Sequence, residues 1–454
     1  MSQLILGLGK TGLSIARYFK RKNQPFRVID TRLYPSELKA FKDEFPEAPI
    51  HLGNINTAWI QESESIIISP GLDPDKLQLQ SINPKVKIYS DIDLFNQSAN
   101  APIIAITGSN GKSTVSTLVA YLLQAGSQRV LLGGNIGIPA LDLLLQPTPD
   151  FYVLELSSFQ LAVTQKLHTY MSVFLNLSQD HLDRHITLSN YQKIKQKIFH
   201  NCQVGIWNRD DMATYPTSKI PYMVDFGTSS ICSNHSFSLV GKDDKMWLTQ
   251  GKNHLLSTTQ LIIKGQHNYL NALVALAITR LLELPLQPIL DALKKFTGLP
   301  HRLETVAEYN GIQWINDSKA TNIHATLAAL STFKGSKEKH LILIVGGIHK
   351  SGDLLELKPL VIQHVKHMIV LGRDGAQFKK AFEHYLSISD AKHLKQAVQI
   401  ASNFATQGDI VLLSPACASQ DMFKDYAERG EEFKTQVKLL LSQGKTYDNE
   451  NSHG

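Results

Sequence analysis

Short apolar runs recur along this chain, each followed by a stretch with helical spacing. Leu4–Leu8 reads as a buried strand, Thr11–Lys20 as a helix, Phe26–Asp30 as a second strand and Ser65–Ser69 as another. A polar stretch, Asp91–Asn100, then precedes Ala101-Pro102 and closes this unit. Strands are expected at Ile103–Ile106, Phe151–Glu155 and Ser172–Asn176, and helices at Val115–Gln124 and His267–Leu282. Residues 205 to 262 read as short strands and turns. Gly298 and Pro300 end the helical pattern before them. Beyond lie strands at Gln313–Ile315, Leu341–Val345, Met368–Leu371 and Ile410–Leu413, separated by helical patterns, which implies a parallel α/β sheet. The pattern predicts three α/β domains, 1–92, 93–297 and 298–441. The polar stretch 442–454 lacks periodicity and is expected to be disordered.

Composition agrees with this partition. A chain of 454 residues suggests about three domains, and 43% hydrophobic content is ample for packed cores. Its three cysteines, Cys202, Cys232 and Cys417, lie far apart without metal-type spacing and suit a reducing cytoplasm. Met1-Ser2-Gln3 runs directly into a strand, so no secretory leader is expected, and no apolar run is long enough to span a bilayer. A net charge of +6 with no dense Lys/Arg cluster among aromatics argues against nucleic acid as a partner.

The densest chemistry lies at Thr107-Gly-Ser-Asn-Gly-Lys-Ser-Thr114, between an apolar strand and a helix that Gly126 ends. This is the layout of a phosphate-binding loop. Gly108 and Gly111 let the backbone turn its N–H groups toward phosphate oxygens, Lys112 supplies a point charge, and the Ser113 hydroxyl can hold Mg²⁺. ATP is therefore the expected ligand. The general motif places Gly five residues before Gly111, where this chain has Ile106. Glu155 ends a strand beside this loop and is well placed for Mg²⁺.

Gly7-Leu-Gly-Lys-Thr-Gly12 matches the dinucleotide fingerprint, with Asp30 eighteen residues past Gly12. The physics asks only for a diphosphate at a helix N-terminus and a carboxylate near a sugar or base, so NAD and other nucleotide diphosphates both satisfy it. Asp180-His181 follows a strand, where His181 is either a structural donor or a ligand. Lys193, Lys195 and Lys197 read first as a solvated basic face. Asn268 and Asn271 share one helix face and could meet an adenine edge or serve as helix caps. Asn316-Asp-Ser-Lys-Ala-Thr-Asn322 is densely polar after a strand; Lys319 could contact phosphate and Asp317 a ribose or base. Cys417 reads as a packed small residue.

These segments, in this order, resemble the Mur ligases of peptidoglycan synthesis. The phosphate loop is similar to the form it takes there, which accounts for Ile106. Gly7–Ser14, Asp30-Thr-Arg32, Ser69-Pro-Gly71, Gly133-Gly-Asn-Ile-Gly137, Leu154–Leu161, Asp180-His-Leu-Asp-Arg184, Asn316–Asn322 and Ser414-Pro-Ala-Cys-Ala-Ser419 carry the likeness, over about residues 3 to 440. They look most like the branch that adds D-glutamate. Gly346-Gly-Ile-His-Lys350-Ser-Gly lacks the Asp-Asn-Pro-Arg sequence of the branch that adds a diamino acid. Gln420 stands where an apolar residue is common, Tyr426 where Phe is, and Lys10 is less typical than an apolar residue. The folate-modifying polyglutamate synthases share the ATP machinery but not this first domain.

The resemblance implies a Rossmann-like first domain, a central P-loop ATPase-type domain and a Rossmann-like third domain. It implies ligation of D-glutamate to UDP-N-acetylmuramoyl-L-alanine by a cytoplasmic monomer. Thr11, Asp30, Thr31, Arg32, Ser69, Pro70 and Gly71 would hold the UDP end, with Asn135 and His181 further along. Gly108, Ser109, Asn110, Gly111, Lys112, Ser113, Thr114, Asn268, Asn271, Arg302 and Asp317 would bind ATP. Thr321, Lys350, Ser419 and Tyr426 would bind glutamate. Two Mg²⁺ ions are implied, one on Ser113 and Glu155, the other on His181 and a carbamylated Lys195, which falls four residues after Tyr191 as in the family. Lys112, Lys319, His181 and Lys195 are the implied catalytic set. A NAD-dependent oxidoreductase and a non-catalytic nucleotide sensor are the competing readings; the former has no account of Lys112, Glu155 or Lys319.

Overall fold

The apolar runs become the central strands of three separate sheets. The computed structural model describes residues 3–228, 233–333, 339–350 and 352–451; Cys232 lies outside the described residues. The first sheet holds β1 (Gln3–Leu6), β2 (Phe26–Asp30), β3 (Ile50–Leu52), β4 (Ser65–Ile68) and β5 (Lys87–Tyr89) in the order β3-β2-β1-β4-β5, all parallel. Leu4, Leu6, Ile66 and Ile68 pack on one face and Ile5, Val28 and Ile67 on the other. A parallel sheet buried on both faces needs such continuous apolar strands. The strand order reverses between β1 and β4, so a crevice opens at their C-terminal ends. The Gly7–Gly12 turn and the Ser69–Gly71 turn both lie at that crevice.

The second sheet has nine strands: β6 (Ile103–Thr107), β7 (Val130–Gly134), β8 (Phe151–Glu155), β9 (Thr169–Phe174), β10 (Cys202–Asn208), β11 (Tyr222–Gly227), β12 (Phe237–Lys242), β13 (Lys245–Gln250) and β14 (Asn253–Ser257). Their order is β14-β13-β12-β11-β10-β9-β6-β8-β7, parallel from β7 to β12 and antiparallel across β12-β13-β14. The irregular region 205–262 thus extends this one sheet. The third sheet joins β15 (Glu304–Tyr309), β16 (Ile312–Asn316), β17 (Leu341–Gly346), β18 (Val365–Leu371), β19 (Ser387–Asp390) and β20 (Ile410–Leu413) in the order β15-β16-β20-β17-β18-β19. Only β15-β16 is antiparallel, turning at Asn310 and Gly311, both with positive φ.

Two compact units result: Met1–Leu177 with Ser189–Thr259 and Asn271–Leu293, and Ser178–Leu188 with Gln260–Leu270 and Lys294–Gly454. The first carries the first two sheets over one shared core, in which Leu13 and Ala16 belong with Ala140, Leu141 and Leu143. The second carries the third sheet.

The helix Tyr426–Asn451 runs past 442, and 452–454 lie outside the described residues. Phe433 and Val437 anchor that helix in a core with Trp314. Nothing from 442 to 451 is a proline, and adding residues to a formed helix costs little.

The Gly7–Gly12 turn admits no side chain at its last position. A Cβ on Gly12 would meet the Gly7 carbonyl oxygen at 2.0 Å. Gly12→Ala is therefore expected to destabilise the full chain by about 1–3 kcal/mol or more, read as a lower denaturant midpoint for its first unfolding transition. An unchanged midpoint would show that the turn is not packed this closely.

Candidate active site

The crevice at β1 and β4 is the mouth of a cleft of about 650 Å³. Thr11, Asp30, Thr31, Arg32, Ser69, Pro70, Gly71 and Asn135 all line it, so the structure brings these candidates together. Gly7 has φ +97°, and Ser69 Oγ donates to its carbonyl at 2.9 Å. Asp30 is buried and accepts from Leu8 N–H at 2.6 Å, from Arg32 N–H at 2.8 Å, and from Arg32 Nε and Nη2 at 2.9 and 2.7 Å. Burial alone would raise its pKa, but these donors outweigh it and hold the carboxyl below its ordinary value. Arg32, paired and half-exposed, is raised in turn. Ser157, Phe159 and Gln160 also line the cleft. Ser157 and Gln160 form a reciprocal capping box, a signature present in Ser157-Ser-Phe-Gln160 but not read as such from the sequence.

The phosphate loop connects β6 to the helix Lys112–Ala125. Gly111 has φ +84°, and a Cβ there would lie 2.8 Å from Asn271 Oδ1. Asn271 is thus seated on the loop, whereas Asn268 Nδ2 donates to the Lys264 carbonyl at 2.9 Å. Lys112 Nζ curls over the loop, donating to the Gly108 and Ser109 carbonyls at 2.9 and 3.0 Å. Ser109, Ser113 and Thr114 are buried. Asn176, which carried no assigned role, brackets the loop: its Oδ1 accepts from Asn110 N–H at 2.9 Å and its Nδ2 donates to the Asn110 carbonyl at 3.1 Å.

Lys195 departs from a solvated face. It is 1% exposed, and its Nζ donates to the Gly108 carbonyl at 2.8 Å and to Thr107 Oγ1 at 3.2 Å, over the Tyr191 ring. Lys193 is exposed, and Lys197 Nζ donates to the Ala162 carbonyl at 2.9 Å. The helix Leu188–Gln196 gives way to a 3₁₀ turn, Lys197–Phe199.

In the second unit, Asp317 is buried and accepts from Ser414 Oγ at 2.8 Å and Leu303 N–H at 3.3 Å. Burial pushes it up to about 7, against the opposing pull of Ser414 and of the Arg302 and Arg429 charges. Burial and the Arg302 charge push His267 down to about 4. Lys319 Nζ lies 5.0 Å over the Tyr426 ring. Asp180 gathers Asn322 Nδ2 at 3.3 Å, His181 Nε2 at 3.6 Å and Lys350 Nζ at 3.9 Å. Thr321 lies in the turn before the helix Ile323–Thr332, and Ser419 is buried with an unpartnered hydroxyl. Arg429 staples two loops, donating to Ser318 Oγ and O at 2.9 and 2.8 Å and to the Cys417 carbonyl at 3.1 Å. Nothing in its local sequence marks it. Burial pushes the Cys417 thiol up to about 12, so Cys417 is packing.

Glu155 tests the fit to Mg²⁺. It is 2% exposed; Oε1 accepts from Asn135 Nδ2 at 2.6 Å, while Oε2 is buried with no hydrogen-bond partner. Its strand pairs with the one entering the phosphate loop, Ile106 opposite Glu155. A desolvated carboxylate oxygen beside a phosphate loop suits a cation. Among the described residues no group of three or more His, Cys, Asp or Glu forms a cage. No helix among the described residues is long and apolar enough to cross a membrane.

Three family models match the chain: a MurD-like Mur ligase N-terminal domain over 1–88, a Mur ligase middle domain over 106–279, and a Mur ligase glutamate ligase domain over 301–417. The chain belongs to the Mur ligase family. Its relatives include the UDP-N-acetylmuramoylalanine–D-glutamate ligase of Hahella chejuensis, 41% identical over 96% of this chain and 98% of that protein. The enzyme of the same name from Legionella pneumophila strain Lens is 42% identical over 96% and 99%. Among solved structures, the UDP-N-acetylmuramate–alanine ligase of Thermotoga maritima shares the fold with TM-score 0.62 at 19% identity, over 98% of this chain and all of that one. The MurF ligase of the same organism, solved with ADP, also gives 0.62, at 14% identity over 97% and 95%.

Proposed function

We propose that this chain joins D-glutamate to UDP-N-acetylmuramoyl-L-alanine at the expense of ATP, in the cytoplasm and as a monomer. The hydrogen bond between Asn135 and Glu155 carries this reading, because it joins the nucleotide-sugar cleft to the strand beside the phosphate loop. An acyl group reaching out of the cleft then meets the terminal phosphate of ATP. We place the domain boundaries at 92/93 and 297/298.

A carboxylate cannot be attacked by an amine directly, because oxide is a poor leaving group. The substrate carboxylate attacks the γ-phosphate, giving an acyl phosphate and ADP. The glutamate amine then attacks the carbonyl, and phosphate leaves. Such chemistry is mostly positioning and charge neutralisation. Loop N–H groups from Gly108 to Thr114, with Lys112, hold the phosphates; Asn271, Asn268, Arg302 and Asp317 are assigned to the rest of ATP, and Lys319 to the moving phosphoryl charge. Thr11, Asp30, Thr31, Arg32 and Ser69-Pro-Gly71 take the UDP end, Asn135 and His181 the muramoyl end. Thr321, Lys350, Ser419 and Tyr426 take glutamate. Ser113 and Glu155 would hold one Mg²⁺, and His181 and carbamylated Lys195 a second. Bound there, Mg²⁺ neutralises phosphate charge. The test is ADP release by purified protein. It should require both the nucleotide sugar and D-glutamate; ADP release without them, or with another amino acid in place of D-glutamate, would overturn the reading.

Arg32→Ala removes one of the cations that line the cleft and frees Asp30 from its pair. It is expected to raise KM for the nucleotide sugar about tenfold or more while KM for ATP stays near wild type. Equal effects on both, or measurable NAD binding by the wild type, would count against the UDP assignment.

A further inference from the structure

We infer that Asp142 is a positioning residue that sets the width of the substrate cleft. The inference rests on the reading of that cleft as the nucleotide-sugar site. Its two walls come from different sheets. Lys10, Thr11 and Arg32 stand on one wall; Asn135, Pro139 and Gln160 stand on the other. Asp142 belongs to the short helix Ala140–Leu143, directly after Pro139, and its side chain is 13% exposed. Ser14 Oγ, itself buried, donates to Asp142 Oδ1 at 2.8 Å. Arg17 Nη1 reaches Oδ2 at 3.5 Å, and its other nitrogens are held by Glu44. Arg21 Nη2 donates to the Leu141 carbonyl at 3.2 Å.

Ser14, Arg17 and Arg21 follow one another at helical spacing along one face of the helix Lys10–Arg21. That helix begins at the fingerprint turn, so fixing its face fixes where its N-terminus points. Leu13, Ala16, Leu141 and Leu143 belong to one apolar core, which brings the two helices together but has no preferred direction. Charge-assisted hydrogen bonds to one carboxylate select a single register. A ligand that touches only the Gly7–Arg32 wall does not sense the gap. A ligand that spans both walls does, since its bound geometry must match the gap.

The test compares UDP, which needs only the first wall, with UDP-N-acetylmuramoyl-L-alanine, which spans both. Binding is measured by calorimetry on full-length wild type, Asp142→Ala, Asp142→Asn and Ser14→Ala, with steady-state KM alongside. Asp142→Ala is expected to weaken the spanning ligand about tenfold and to raise its KM in step. UDP affinity and the KM values for ATP and glutamate should stay within about twofold. Ser14→Ala should shift the same ratio by less. Asp142→Asn, which keeps an acceptor for Ser14, should recover part of the loss. Once Asp142 is gone, removing Ser14 as well should cost nothing further.

Equal losses for both ligands, or none for the spanning one, would overturn the inference. If Asp142→Ala does not fold, Ser14→Ala and Arg17→Gln, which leave the carboxylate in place, carry the same comparison. Wild-type protein that binds neither ligand would overturn the cleft assignment itself, and the inference with it. Wild-type binding with parallel losses overturns the inference alone.

Discussion

Replacing Lys112 by alanine is expected to lower substrate-dependent ADP formation by on the order of 10³-fold or more. The side chain opens the helix Lys112–Ala125 and curls back over the loop, where Nζ donates to the Gly108 and Ser109 carbonyls. Those bonds hold an ammonium at the loop before any phosphate arrives, so little reorganisation remains when one does. Charge then builds on the phosphoryl oxygens as the bond to ADP breaks, and alanine leaves that charge unneutralised. The loop itself should survive. Asn176 still clamps Asn110 from both sides, and Gly111 still rests against Asn271. The variant should therefore unfold like the wild type and bind the nucleotide sugar normally. Near-normal turnover in such a variant would sink the assignment of this loop to ATP.

The loop was legible because its signal is local. Strand, turn and helix lie within one stretch of chain, and the residue that breaks the general motif, Ile106, is a fully buried strand residue. The cleft was legible for the same reason at Gly7–Gly12 and Asp30. What the sequence did not disclose is what those groups do to one another. Asp30 is already engaged by Arg32 and by Leu8 N–H. The bracket by Asn176 and the staple by Arg429 join positions far apart in the chain, and no periodicity encodes such pairs. The edge strand β15 went unread although Asn310-Gly311 is a strong hairpin signal, because its burial is only partial and its apolar alternation weak. In 205–262 the buried apolar residues are spread over β10 to β14, one or two to a strand, and β13 begins exposed. Short strands of this kind gain their register from neighbours rather than from local propensity.

Lys195→Ala is expected to lose activity as severely as the phosphate-loop variant, while Lys193→Ala loses little. The three lysines of this segment differ in surroundings rather than in chemistry. Lys193 is exposed, Lys197 donates a hydrogen bond to the Ala162 carbonyl, and Lys195 is buried against the phosphate loop. Lys197→Ala should accordingly show its effect in stability rather than in turnover. An ammonium at 195 donates to Gly108 and Thr107 and cannot ligate a cation. Addition of CO₂ to the amine converts that donor into an anionic oxygen ligand, the only form in which this side chain can serve Mg²⁺. Three measurements separate carbamate from ammonium. A small carboxylate at high concentration should restore part of the Lys195→Ala activity by filling the vacated position, and should do nothing for Lys112→Ala. Depleting CO₂ from the buffer should slow the wild type and leave Lys195→Ala at its residual rate. The intact mass of gently handled wild type should exceed that of the bare chain by one CO₂, and Lys195→Ala should lack the increment. A wild type that carries no CO₂, works at full rate without it and yields a variant that no carboxylate rescues would leave Lys195 as a buried structural donor to the Gly108 carbonyl.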